Sequence, residues 1–214
     1  DCQKQGVEIR RRVGYLPGEL NLYPHLRARE FLGMVNAVRG GTAEPAYIDR
    51  LCEQLGLDAT RRMRTYSRGN KQKVGLVAAF MGKPDLLMLD EPTSGLDPLV
   101  QQTVLDMVRN ARADGRTVLL SSHILSEVQV VCDRVGIIRD GRLVATERVE
   151  DLIQARLHRV TMRFERMPPA GAFDALGARE VGRLDQTVTL EVREDLNRVL
   201  SEAVQYGVLE LETQ

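Results

Sequence analysis

The sequence predicts an α/β protein built on a parallel sheet, followed by a small α+β appendage. Three observations carry that reading. Leu86-Leu87-Met88-Leu89 is an uncharged run between Lys83-Pro84-Asp85 and Asp90-Glu91, the form of a short strand buried on both faces of a parallel sheet. Pro98 to about Asp114 carries Val100, Val104, Val108 and Ala111 at helical spacing, and Thr117-Val118-Leu119-Leu120 then makes a second short buried strand. Strand, crossover helix and strand in that order mark a parallel pair. From His158 onward the pattern changes to alternation, in Val160, Met162 and Phe164 and again from Thr187 to Val192.

Taken from the start, Arg10-Arg11-Arg12 reads as a solvated face leading into Val13-Gly14-Tyr15-Leu16, a strand stopped by Pro17, with Tyr15 as a packing residue. Phe31, Leu32, Val35 and Val38 recur at helical spacing from Ala28 to Arg39, ended by Gly40-Gly41. Ile48, Leu51, Cys52 and Leu55 form the stripe of a second helix from about Pro45, with Gly56 as its cap. A third helix starts at Tyr66-Ser67-Arg68-Gly69-Asn70 and continues through Val74, Leu76, Val77 and Phe80. These helices form a subdomain of about residues 26–82 inserted between strands.

Beyond His123, a helix bears Ile124, Leu125, Val128, Val131 and Cys132. A hairpin follows, Val135–Arg139 and Arg142–Ala145, turning on Asp140-Gly141. The first domain closes near Arg156, giving expected domains of residues 1–156 and 157–214. In the second, Met167-Pro168-Pro169-Ala170-Gly171 breaks the alternation, and a helix from about Glu194 to Gln205 and a strand from Val208 to Leu211 complete a ferredoxin-like unit. His25 and His158 read as surface residues.

Thirty basic and thirty acidic side chains among 214 residues cancel to a net charge of zero, so no global field favours nucleic acid or an anionic membrane. Cys2, Cys52 and Cys132 are widely spaced and odd in number, which favours reduced thiols used in packing. No stretch approaches the roughly 20 apolar residues that span a bilayer. Membrane work would fall to a partner.

The candidate chemistry sits where strands end. Asp90 and Glu91 follow the first apolar run, and Ser121-Ser122-His123 follow the second. Neighbouring parallel strands would deliver a carboxylate pair and an imidazole to one edge, the edge at which open α/β sheets bind ligands. Ser67 before a helix reads first as an N-cap. A bare helix start also offers unpaired amides and partial positive charge, and the small residues Ser67 and Gly69 let a phosphate come close.

The Ser67-Arg68-Gly69-Asn70 helix start, the acid-ended strand, the Ser94-Gly95-Leu96-Asp97 loop and the strand-ending His123, in that order, resemble the nucleotide-binding subunit of an ATP-binding cassette (ABC) transporter from about Arg12 to Leu152. The resemblance implies a P-loop NTPase fold that binds ATP and Mg2+. It assigns Asp90 to the metal through water, Glu91 to the attacking water as general base, and His123 to the γ-phosphate. Ser67, Gly69 and Asn70 would cap a nucleotide held by a second subunit, with Asp97 across that interface. Arg68 replaces the first glycine, and Asn70 the glutamine, of the family's signature. Gly18, with Glu19 beside it, stands where the family has a glutamine that touches metal and water.

No Gly-x-x-x-x-Gly-Lys-Ser/Thr sequence occurs in the chain, which is therefore expected to be an incomplete cassette whose phosphate-cradling loop lies upstream, and to bind ATP poorly by itself. The implied setting is the cytoplasmic face of a cell membrane, with a multispanning permease and a second ATP-binding subunit as partners and no nucleic acid. The Gly14-Tyr15-Leu16-Pro17-Gly18-Glu19 loop and the signature resemble the drug, lipid or polysaccharide export branch. Two other readings stay open: a soluble ABC ATPase acting on the ribosome or DNA, and a non-catalytic fragment.

Overall fold

Val13–Leu16 (β1), Leu86–Asp90 (β2) and Thr117–Ser121 (β3) form a parallel sheet in the order β1-β2-β3 in the computed structural model, which describes residues 3–154, 158–192 and 196–213. Between β1 and β2 the chain forms Ala28–Val38 (α2), Pro45–Gln54 (α3), a 3-10 turn at Met63–Thr65 and Arg68–Phe80 (α4). Pro98–Ala113 (α5) crosses from β2 to β3, and Leu125–Val131 (α6) follows. A first helix, Gly6–Arg12 (α1), was not expected, because its face carries no apolar stripe and none of its residues is buried. Its three arginines are exposed, and Arg12 pairs with Asp85 at 2.6 Å in water.

The core of this unit lies on one face of the sheet. Leu16, Leu87 and Leu89 are fully or almost fully buried there, each worth about 1.5–3 kcal/mol of transfer free energy. α4 covers that face, with Val74, Leu76, Val77 and Phe80 buried. On the opposite face Tyr15, Met88 and Leu119 stand side by side in register, 53%, 36% and 60% exposed. The expectations of two-faced burial for the strands and of packing for Tyr15 are corrected by this row. Leucine and methionine carry no charge, so the sequence has nothing to mark an open face.

The chain divides into two compact units, residues 1–131 and 132–214, whereas the sequence suggested a boundary near Arg156. Arg134–Arg139 (β4) and Arg142–Arg148 (β5) hydrogen-bond to each other as a separate hairpin, with Asp140 and Gly141 both at positive φ as a two-residue turn requires. Val149–Gln154 (α7) follows. His158–Phe164 (β6), Ala178–Leu184 (β7), Thr187–Val192 (β8) and Val208–Thr213 (β9) make an antiparallel sheet in the order β7-β8-β6-β9, with Leu196–Ala203 (α8) between β8 and β9.

That is the split β-α-β ferredoxin-like pattern, with its first helix shortened to a 3-10 turn at Asp174–Leu176. Its core joins Val160, Met162 and Phe164 to Val188, Leu190, Val192 and Val199. Cys52 is buried as packing requires, while Cys2 and the side chain of His158 lie outside the described residues.

Candidate functional site

The strands of the parallel sheet end in register. Leu16 stands beside Leu89, and Asp90 beside Ser121. The residues that follow each strand therefore meet at one carboxyl edge. The exposed Asp90 carboxylate is held from both sides: Ser121 Oγ donates to Oδ1 at 2.5 Å, and the Gly18 backbone N–H donates to Oδ2 at 3.2 Å. A Cβ at position 18 would lie 2.8 Å from that same oxygen, so a larger residue there would push the Asp90 carboxylate aside. Gly18 thus acts through its backbone, and Glu19 beside it is exposed.

Ser121 Oγ also accepts the Glu91 backbone N–H at 3.0 Å, so one hydroxyl fixes both acids. Glu91 adopts φ +48°, a left-handed conformation that costs a non-glycine residue about 1–3 kcal/mol and persists only where surrounding contacts impose it. The Gln72 side-chain amide of α4 supplies such contacts, donating to the carbonyls of Glu91 at 3.0 Å and Pro92 at 3.3 Å. The turn aims the Glu91 carboxylate at His123, whose Nδ1 lies 2.9 Å from Oε2 and 3.0 Å from Oε1. This hydrogen bond, and then the carboxylate's charge, raise the imidazole pKa above its ordinary value.

Beneath this pair sits Glu127, only 7% exposed. Its Oε2 accepts from Thr93 Oγ1 at 2.9 Å and from Ser122 Oγ at 3.0 Å, joining the loop after Glu91 to the loop that carries His123. Sequence reasoning missed Gln72 and Glu127, and placed Ser121 at the strand end without giving it a role. The available signals were a glutamine on the apolar side of α4, the hydroxyls closing β3, and an acid inside the apolar run Ile124 to Val131.

Ser67, Gly69 and Asn70 form a second group at the start of α4. Ser67 Oγ accepts the Asn70 backbone N–H at 3.3 Å, the N-cap that its position suggested. A Cβ on Gly69 would lie 2.7 Å from the Gly95 carbonyl oxygen, so glycine here also serves a contact within the chain. Arg68 donates to Ser94 Oγ at 3.3 Å across the same seam. The Tyr66 hydroxyl donates to the Asp58 carbonyl at 2.5 Å and anchors the segment from below. Asp97 caps α5, its Oδ1 accepting the Val100 N–H at 3.1 Å.

Among the described residues no group of three or more His, Cys, Asp or Glu is placed to hold a metal by protein atoms alone. An exposed carboxylate, oriented by a hydroxyl and an amide and next to a second acid, fits Mg2+, which is held by one or two carboxylates with water and substrate phosphates completing its shell.

A family model described as ABC transporter matches residues 2–94. The linearmycin resistance ATP-binding protein LnrL of Bacillus subtilis is 36% identical across 70% of this chain and 49% of its own length. This chain carries an ABC transporter ATP-binding domain. The bacitracin transport ATP-binding protein BcrA of Bacillus licheniformis is 38% identical over 66% of the chain and 47% of that protein. The chain spans about half the length of these relatives.

Among solved structures, the ATP-binding subunit of an ABC transporter superposes with a TM-score of 0.64 at 31% identity, covering 71% of this chain and 65% of the other. A dimeric ATP-binding cassette in a post-hydrolysis state, bound to ADP and Pi, shares the fold at a TM-score of 0.61 and 21% identity, over 70% of this chain and 68% of that one. The fold class is thus that of the ABC ATPase cassettes. No helix among the described residues is long and apolar enough to cross a membrane.

Proposed function

We propose that this chain is part of the ATP-hydrolysing subunit that powers a membrane transporter, an exporter of the drug, lipid or polysaccharide kind, from the inner face of the cell membrane. The observation that carries the reading is the Glu91–His123 pair beside Asp90 at the carboxyl edge of a parallel sheet. The relatives named above as resistance and transport ATP-binding proteins support it. The partners are a multispanning permease and a second ATP-binding subunit, with no nucleic acid. Residues 1–156 belong to the nucleotide-binding body and 157–214 to an accessory domain.

Phosphoryl transfer asks the protein for positioning and for charge aimed at the developing anion. Asp90, held by Ser121 and Gly18, would hold Mg2+ through water, and the metal would screen the phosphate oxygens. Glu91 takes the proton of the attacking water at its carboxylate as the water oxygen bonds to the γ-phosphorus, and the bond to the bridging oxygen breaks to release ADP. His123 leaves Glu91 for the γ-phosphate when nucleotide arrives, which frees that carboxylate for the water. Ser67, Gly69 and Asn70 present the α4 start to a nucleotide held by the second subunit, and Asp97 lies at the same junction.

The test is Glu91→Gln in the protein that carries this chain, assayed with its partner subunit. Turnover is expected to vanish while Mg-ATP binding measured by calorimetry stays as in the wild type. Normal turnover in that variant would refute the assignment.

A further inference from the structure

α4 touches both halves of the proposed chemistry. Its first turn carries Ser67, Gly69 and Asn70, which in the reading above cap the second subunit's nucleotide. Its second turn carries Gln72, 7% exposed, whose amide donates to the carbonyls of Glu91 and Pro92. Two further contacts fasten the same helix start to the same loop: Arg68 on Ser94 Oγ at 3.3 Å, and Gly69 against the Gly95 carbonyl, 2.7 Å from where a Cβ would stand. Three attachments over one turn and a half leave little slack between helix and loop.

We infer that Gln72 is a positioning residue that couples the two ATP sites of the dimer, transmitting the seating of α4 on the second subunit's nucleotide to the backbone of this chain's own Glu91. The inference rests on the proposed head-to-tail function. The left-handed turn at Glu91 makes the coupling effective, since a strained residue keeps its conformation only while its neighbours impose it. Ser121 holds the N–H side of Glu91 from β3, and Gln72 holds the carbonyl side from α4. A shift of α4 along its axis therefore rotates the Glu91 peptide against a fixed point and redirects its carboxylate. Gln72 touches no reacting atom; it acts through Glu91.

The experiment compares wild type, Gln72→Leu, Gln72→Asn and Glu91→Gln in the complete transporter, reading turnover against ATP concentration together with thermal unfolding. Leucine keeps the volume but donates nothing, and asparagine keeps the amide on a stem too short to reach both carbonyls. The expected result is a wild-type Hill coefficient above one that falls to about one in both Gln72 variants, with turnover lowered by about tenfold, the scale of one or two lost hydrogen bonds at a strained turn. ATP affinity and unfolding temperature are expected to hold in Gln72→Asn, which is read alone if Gln72→Leu fails to fold. Cooperative, full-rate turnover in Gln72→Asn, alongside an inactive Glu91→Gln, would overturn the coupling and leave the proposed function standing. An active Glu91→Gln would remove the reading on which the coupling rests.

Discussion

Nδ1 of His123 lies almost equidistant from the two carboxylate oxygens of Glu91, at 2.9 and 3.0 Å, although the two residues are far apart in sequence and follow different strands. The parallel register of β2 and β3 brings them together, and no local sequence signal does.

That contact sets a pH dependence. The imidazole pKa is raised, so the pair's contribution to stability is fully present below the unfolded histidine's value, about 6.5, and is lost as pH rises through the higher folded value. His123 is largely exposed, so solvent screens the pair and the effect on global stability is small. A titration followed by NMR should find the His123 pKa above the ordinary imidazole range, and Glu91→Gln should bring it down. An unmoved His123 in that variant would show that the pair does not form in solution.

Gly69→Ala tests the seam between α4 and the Ser94-Gly95 loop. The added Cβ meets a backbone oxygen that cannot swing aside, so a loss of about 1–3 kcal/mol is expected in urea denaturation. Gly33, in the exposed part of α2 with open space around it, is the control. Gly33→Ala should raise stability by up to about 1 kcal/mol through helix propensity alone.

Glu127→Ala removes the acceptor shared by the Thr93 and Ser122 hydroxyls and leaves both with a donor to place elsewhere. Stability should fall by about 1–3 kcal/mol, read from the denaturation midpoint, and Glu127→Gln should lose less because its amide oxygen still accepts. Equal losses in the two variants would mean that packing volume, and no hydrogen-bond network, accounts for the burial of this acid.

The parts of the fold that follow from short-range chemistry were legible in the residues. Pro17 stops β1, Ser67 caps α4, Asp97-Pro98 opens α5 and Asp140-Gly141 turns the hairpin, each as a local rule requires. The acids, the imidazole and the helix start were legible too, because strand ends collect at one edge. What stayed hidden depended on tertiary neighbours. β7, Ala178–Leu184, is an edge strand rich in charge, and so lacks the alternation that marked β6 and β8. α1 has no buried face to announce it. Gln72 and Glu127 looked like ordinary polar residues on helices, since the groups they bind lie 19 and 34 residues away.

The open row of Tyr15, Met88 and Leu119 has a practical side. A largely apolar strip only one strand spacing from rung to rung is a sticky surface for dyes, detergents and other chains. Preparations of these 214 residues should bind a fluorescent apolar probe while fully folded, and a lysine in place of Leu119 should quench that signal and delay turbidity on concentration.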